Sequence, residues 1–244
     1  MKNICLKVSY IGTNFSGFQK QPGMRTVESI LQKGIEETVL HPVKLYYGGR
    51  TDTGVHAQGQ VVNFYSDTTI DIGNLPRVIN YHLPSDVSVV ASEYVNKDFH
   101  SRYFAKSKHY RYIIYNGRYR NALYEDRAFF FPFKLNENKL EEMFQVLIGE
   151  RDFRTFMGRD AVVKDTIRRL DKVSVKRSGD IIVIDFYGKS FLKNMIRIMV
   201  GTCVKLVDEG RPVSELKYIL EKKNRRYAGP TAPASGLYLQ EICY

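Results

Sequence analysis

Long apolar runs are missing from this chain of 244 residues. None approaches the ~18 residues that a membrane-spanning helix needs, so no membrane partner is expected. The opening Met1-Lys2-Asn3-Ile4-Cys5-Leu6 passes directly into an alternating pattern. It lacks the apolar stretch and cleavage site of a secretory leader, so the expected compartment is the cytoplasm. Cysteine is scarce: Cys5, Cys203 and Cys243 are widely scattered. They form no CxxC pair, and with the five histidines they give no zinc spacing and no HExxH string. The expectation is three reduced thiols and no metal. A phosphate-cradling P-loop is also absent. Gly188-Lys189-Ser190 has the end of one, but Val183 stands where its first glycine must be. There is no low-complexity tract, and no repeat period of a solenoid.

What the chain does have is positive charge. Thirty-seven Lys and Arg against 26 Asp and Glu give +11. Such an excess favours a polyanionic partner, and phosphate backbones are the commonest. The 17 Tyr and 14 Phe add rings that either fill a core or stack on unpaired bases.

The patterning alternates strands and amphipathic helices. A strand over 4–10 leads to a glycine-bearing loop over 12–23. Thr26 is placed to cap a helix reaching about Leu40, with Val27, Ile30, Leu31, Ile35 and Val39 on one face. Strands over 43–47 and 60–65, a helix over 72–83 and a strand over 87–94 follow. The second half repeats this alternation, with strands at 109–115 and 128–132, a helix at 137–148, and strands at 165–176 and 181–187 about Ser178-Gly179-Asp180. A strongly periodic helix then carries Leu192, Met195, Ile196, Met199, Cys203 and Val207. A helix over 213–222 and a strand over 236–243 close the chain. This order predicts an α+β fold of two similar halves, 1–105 and 106–244, with a cleft between them.

Three segments carry candidate chemistry. In Gly48-Gly49-Arg50-Thr51-Asp52-Thr53-Gly54-Val55-His56, three glycines mark a backbone that turns tightly or approaches a ligand. Taken alone, it also reads as a surface turn closed by an Arg50–Asp52 ion pair. In Phe99 to Tyr112, basic and aromatic residues interleave. A strand there puts Tyr110 and Tyr112 on one face and Arg111 on the other, and an exposed basic edge strand is the plain alternative. In Phe191 to Gly201, Arg197 borders the apolar stripe of a helix, with Lys193 one turn earlier. An arginine so near a core usually has a carboxylate partner. Gly201 in the same helix suggests close packing.

These segments resemble the TruA family of tRNA pseudouridine synthases. So do Tyr10 to Gln19, Gln58-Gly59-Gln60-Val61, Pro84 with Asp86-Val87, and Ala232-Pro233-Ala234-Ser235-Gly236-Leu237. The likeness runs nearly the whole chain in order. It implies ferredoxin-like α+β halves sharing a mostly antiparallel sheet, and cofactor-independent isomerisation of uridine in the anticodon stem-loop of tRNA, at positions 38 to 40, by a homodimer. It also implies site roles. Asp52 is the carboxylate at the ribose, attacking C1′ or removing the C2′ proton. Tyr110 packs on the target base, and Arg197 keeps the carboxylate ionised. Leu237 lines the base pocket, and Arg50 enters the stem to hold the nucleotide flipped out. Lys106 and Lys108 are expected on phosphates. The chain departs from the family where Phe18 replaces a frequent Trp and Thr53 a common Ala. Both leave the chemistry intact but allow a different target uridine.

Two rivals make different products. A nucleoside hydrolase needs a second carboxylate, for which Asp98, Asp160 and Asp165 are candidates by composition only. A non-catalytic RNA-binding protein would alter no uridine.

Overall fold

A computed structural model describes residues 1–159, 161, 163 and 165–244. In chain order its elements are β1 (Lys2–Tyr10), α1 (Val27–Val39), β2 (Tyr46–Tyr47), β3 (His56–Ser66), α2 (Leu75–Tyr81), β4 (Val87–Val95), β5 (Ser107–Tyr115), β6 (Phe129–Phe130), α3 (Glu137–Gln145), β7 (Gly149–Asp152), β8 (Ile167–Ser178), β9 (Ile181–Gly188), α4 (Met195–Asp208), α5 (Val213–Glu221) and β10 (Leu237–Cys243). The fold is α+β with mostly antiparallel strand pairing. The chain divides into two compact units, Met1–Lys106 with Tyr238–Tyr244, and Ser107–Leu237. The expected division, 1–105 and 106–244, assigns Tyr238–Tyr244 to the second half. In the structure these residues pack with the first unit, where Tyr238 and Leu239 pair in parallel with His56 and Ala57.

In the first unit β1 is central, antiparallel to both β3 and β4. Ile4, Leu6 and Val8 are fully buried on one of its faces. The Thr26 side chain accepts a hydrogen bond from the Ser29 amide, and Ser29 Oγ reciprocates on the Thr26 amide. This capping box starts α1, and Val27, Leu31 and Ile35 bury its apolar stripe completely. Leu40 ends it in the left-handed region, at φ 60°. The helix expected over 72–83 forms only at Leu75–Tyr81, because Asp71 caps a turn first, accepting from the Gly73 and Asn74 amides. The strand expected over 43–47 shortens to Tyr46–Tyr47.

In the second unit β5, β9, β8 and β7 run antiparallel in that order, with β6 parallel on the other side of β5. Tyr112, Ile114, Ile182, Ile184 and Phe186 are fully buried. α3 packs against β8, and α4 against α3. The Gly-Glu-Arg-Asp sequence of β7 carries no strand pattern, yet a strand forms there. The helix expected from Leu192 begins instead at Met195, since Asn194 takes the left-handed conformation at φ 59°. Lys193 therefore precedes the helix and does not lie one turn before Arg197 within it. Among the described residues no helix is long and apolar enough to cross a membrane.

Candidate active site

The Gly48–His56 segment is a loop pinned from several sides by groups of the first unit. Gly48 N donates to Val61 O at 2.8 Å. The fully buried Gln60 donates from Nε2 to Gly49 O at 2.7 Å. The Tyr10 hydroxyl lies 2.8 Å from Thr51 Oγ1, and Phe18 N donates to Thr51 O at 3.1 Å. Burial pushes the Tyr10 phenol up, against its hydrogen bonds with Thr51 and Gln60, so it braces the loop as a neutral group. Past the carboxylate, Gly54 N donates to Phe15 O and Val55 N to Asp52 O, at 3.3 and 3.1 Å. Gly12 N donates to His56 Nδ1 at 3.0 Å, which places a neutral ring's proton on Nε2. That ring stacks on Tyr238 at 4.6 Å. Gly12 sits so close that a Cβ there would fall 2.0 Å from Val55 O. Only glycine permits this approach.

The result is a half-exposed Asp52 between a buried Thr51 and an exposed Thr53. A carboxylate held on a fixed backbone, rather than on a swinging turn, suits a group that must meet one reacting atom. Arg50 is exposed, and among the described residues it makes no ion pair, so the Arg50–Asp52 turn is not what forms. The neighbouring loop is fixed too: Arg25 forms a bidentate pair with Asp86 at 2.9 Å and lies over the Phe15 ring at 4.0 Å.

The second unit carries Tyr110, Arg197 and Leu237. Tyr110 and Tyr112 share the buried face of β5, while Arg111 turns to the other face and pairs with Asp185 at 2.8 Å. The Tyr110 ring meets Phe191 edge-on at 5.1 Å. Arg197 occupies the first turn of α4, half-buried. Its Nε donates to Ala232 O at 2.8 Å and its Nη1 to Asn194 Oδ1 at 3.0 Å. The strap 229–237 is bound closely to α4. A Cβ on Gly201 would fall 2.1 Å from Pro230 O, and Gly229 N donates to Thr202 Oγ1 at 2.9 Å. The same strap accepts the Tyr112 hydroxyl at Pro233 O, 2.7 Å away, and leads to the buried Leu237.

Each unit thus gathers its own candidates: Asp52, Arg50 and the exposed Lys106 in the first, and Tyr110, Arg197, Leu237 and the half-buried Lys108 in the second. The braces Tyr10, Gln60 and His56 are not singled out by sequence reasoning. Their signal is present, since all three stand inside the motifs that carry the resemblance. Of the carboxylates a hydrolase would require, Asp98 is exposed, and Asp165 is exposed beside Arg168 at 3.6 Å. Asp160 lies outside the described residues. Among those residues, no group of three His, Cys, Asp or Glu is placed to hold a metal.

The tRNA pseudouridine synthase family matches over residues 7–104 and 143–244. The tRNA pseudouridine synthase A of Lacticaseibacillus casei (strain BL23) is 37% identical over 247 residues, covering 100% of both chains. That of Pseudothermotoga lettingae is 41% identical over 244 residues, covering 99% of both. Among solved structures, a chain of a Cbf5-Nop10-Gar1 complex aligns with 13% identity and a TM-score of 0.38, over 92% of this chain and 69% of that one. The chain belongs to the tRNA pseudouridine synthase family.

Proposed function

We propose that this protein converts uridine to pseudouridine in the anticodon arm of tRNA, at positions 38 to 40, without a cofactor. The observation that carries the reading is the half-exposed Asp52 on a loop braced by Tyr10, Gln60 and His56. The reaction is an isomerisation. The N1–C1′ bond breaks, a C5–C1′ bond forms, C5 loses its proton and N1 gains one. No electrons or groups are exchanged with a co-reactant, so one carboxylate regenerated at the end suffices. Asp52 serves the ribose, as nucleophile at C1′ or base at C2′.

In this reading the two units are similar, ferredoxin-like folds, and Asp52, Tyr110 and Arg197 serve the same reaction. Tyr110 packs on the extruded base and assists loss of the C5 proton. Arg197, aimed by Ala232 O and Asn194, stabilises the ionised carboxylate. Leu237 lines the base pocket. Exposed Arg50 fills the stem behind the flipped nucleotide, offsetting lost stacking. Lys106 and Lys108 take phosphates. The enzyme works in the cytoplasm as a homodimer whose second subunit extends the basic surface along the tRNA.

Mapping pseudouridine in an unmodified tRNA transcript after incubation with the purified protein tests this. Pseudouridine at 38 to 40 supports it. Free uracil would mean a hydrolase, and bound but unaltered tRNA a binding protein.

A further inference from the structure

One cluster of rings and cations in the first unit has no role in the chemistry above. Tyr46 of β2 contacts the His100 ring at 4.8 Å, and His100 contacts Tyr103 at 4.3 Å. Tyr103 is 75% exposed. Cations sit at both ends: Lys44 Nζ is 5.3 Å from the Tyr46 ring centre, and the Arg102 guanidinium is 5.9 Å from that of Tyr103. Among the described residues none of Lys44, His100 and Arg102 pairs with a carboxylate. The His100 ring is kept neutral: burial lowers its pKa, and the Arg102 and Lys44 charges lower it further. Its Nδ1 accepts from Arg102 N at 3.1 Å.

The cluster is built on a fixed base. Ser101, fully buried between His100 and Arg102, places its Oγ 2.6 Å from Asn63 Oδ1 and 2.9 Å from Tyr46 O. Its backbone carbonyl accepts the Tyr244 hydroxyl at 2.7 Å. Asn63 donates to Asn3 Oδ1 at 2.9 Å, and Asn3 donates to Asn96 O and Phe99 O at 3.0 Å. These bonds hold the two ring-bearing segments together while Tyr103 projects into water. Exposing a tyrosine on so rigid a mount gains nothing for the core. It does suit a ligand with a flat face and negative charge.

We propose that Tyr46, His100 and Tyr103, with Lys44 and Arg102, form a second RNA-contact platform, on which an unpaired nucleotide of the tRNA substrate stacks against Tyr103 while its phosphates meet the two cations. The choice of RNA rests on the functional reading above. The preference for an unpaired nucleotide comes from the exposed ring, since a paired base offers no free face.

The chain has no tryptophan, so Tyr103→Trp supplies a single fluorescent reporter at the platform. The probe is an unmodified tRNA transcript containing a position 38 to 40 uridine. Titration is expected to quench that emission, and Tyr103→Ala to weaken Kd about tenfold. Replacing both Lys44 and Arg102 by Ala is expected to weaken binding and to reduce the log–log salt slope by roughly 1.4–1.8. An unmoved Tyr103→Trp emission at saturating tRNA, with Tyr103→Ala within twofold of wild type, would overturn the platform, even if the Lys44 and Arg102 changes weaken binding through phosphates. Those two negative results beside a wild type that forms pseudouridine overturn the platform and leave the catalytic reading standing. A quenched reporter on a protein forming no pseudouridine supports the platform and removes the catalytic reading.

Discussion

Arg197 and Ala232 hold each other reciprocally. The Arg197 Nε donates to the Ala232 carbonyl at 2.8 Å, and the Ala232 amide donates to the Arg197 carbonyl at 3.0 Å. The guanidinium is therefore aimed by backbone, at the start of a helix whose Gly201 lets the same strap lie against it. A charge positioned this way is costly to move and poorly replaced.

Arg197→Lys keeps the charge but cannot reproduce the Nε and Nη1 bonds together. It is expected to lose at least tenfold in kcat and about 1–3 kcal/mol in stability. Arg197→Ala should lose more in both. Arg50→Ala, at an exposed residue without an ion pair among the described residues, should leave urea denaturation unchanged and impair turnover. tRNA whose target base is already unstacked should rescue Arg50→Ala more than Arg197→Ala. Urea titrations and single-turnover rates on both tRNAs check the contrast, and equal rescue would contradict it.

Gly12→Ala tests the clamp on the Asp52 loop. The added methyl meets a backbone oxygen, Val55 O, which yields only if the 48–56 loop shifts. Stability should fall by about 1–3 kcal/mol. Turnover should fall further than tRNA affinity, because Asp52 is displaced while phosphate contacts remain. A kcat within twofold of wild type would show that the loop position is not critical.

Asp185 gives a pH signature. Burial raises its carboxyl, but the hydrogen bonds and charges of Arg111 and His109 outweigh that, and its pKa is lowered overall. A lowered folded pKa adds stability that is complete above the unfolded value of about 3.9 and is lost as pH falls through the folded value. Asp185→Asn should therefore be less stable than wild type at neutral pH, by about 1–2 kcal/mol, with the gap closing below pH ~4. A gap unchanged from pH 7 to 3 would show that the ion pair is not its source.

Much of this architecture is legible from local chemistry. Thr26 as a cap and the alternation of Tyr110, Arg111 and Tyr112 depend on residues a few positions apart, and both appear as read. What escapes depends on distant partners. β7 is polar and forms because Gly149 to Asp152 pair with β8, and the start of α4 is set by the conformation of Asn194. The Asp52 loop announces itself through its glycines. Its rigidity does not, because Gln60, Tyr10 and His56 reach it only once β1 and β3 are paired. The last strand likewise joins the first unit through pairing that no periodicity encodes.

Asp52 is expected to perform the chemistry while other residues supply most of the affinity. Pseudouridine at positions 38 to 40 of one unmodified tRNA transcript, mapped for wild type and Asp52→Asn alongside Kd, tests it most directly. The expected result is full conversion by wild type, none by Asp52→Asn, and Kd values within about tenfold, or roughly 1.4 kcal/mol. Pseudouridine formed by Asp52→Asn at a rate near wild type would contradict it.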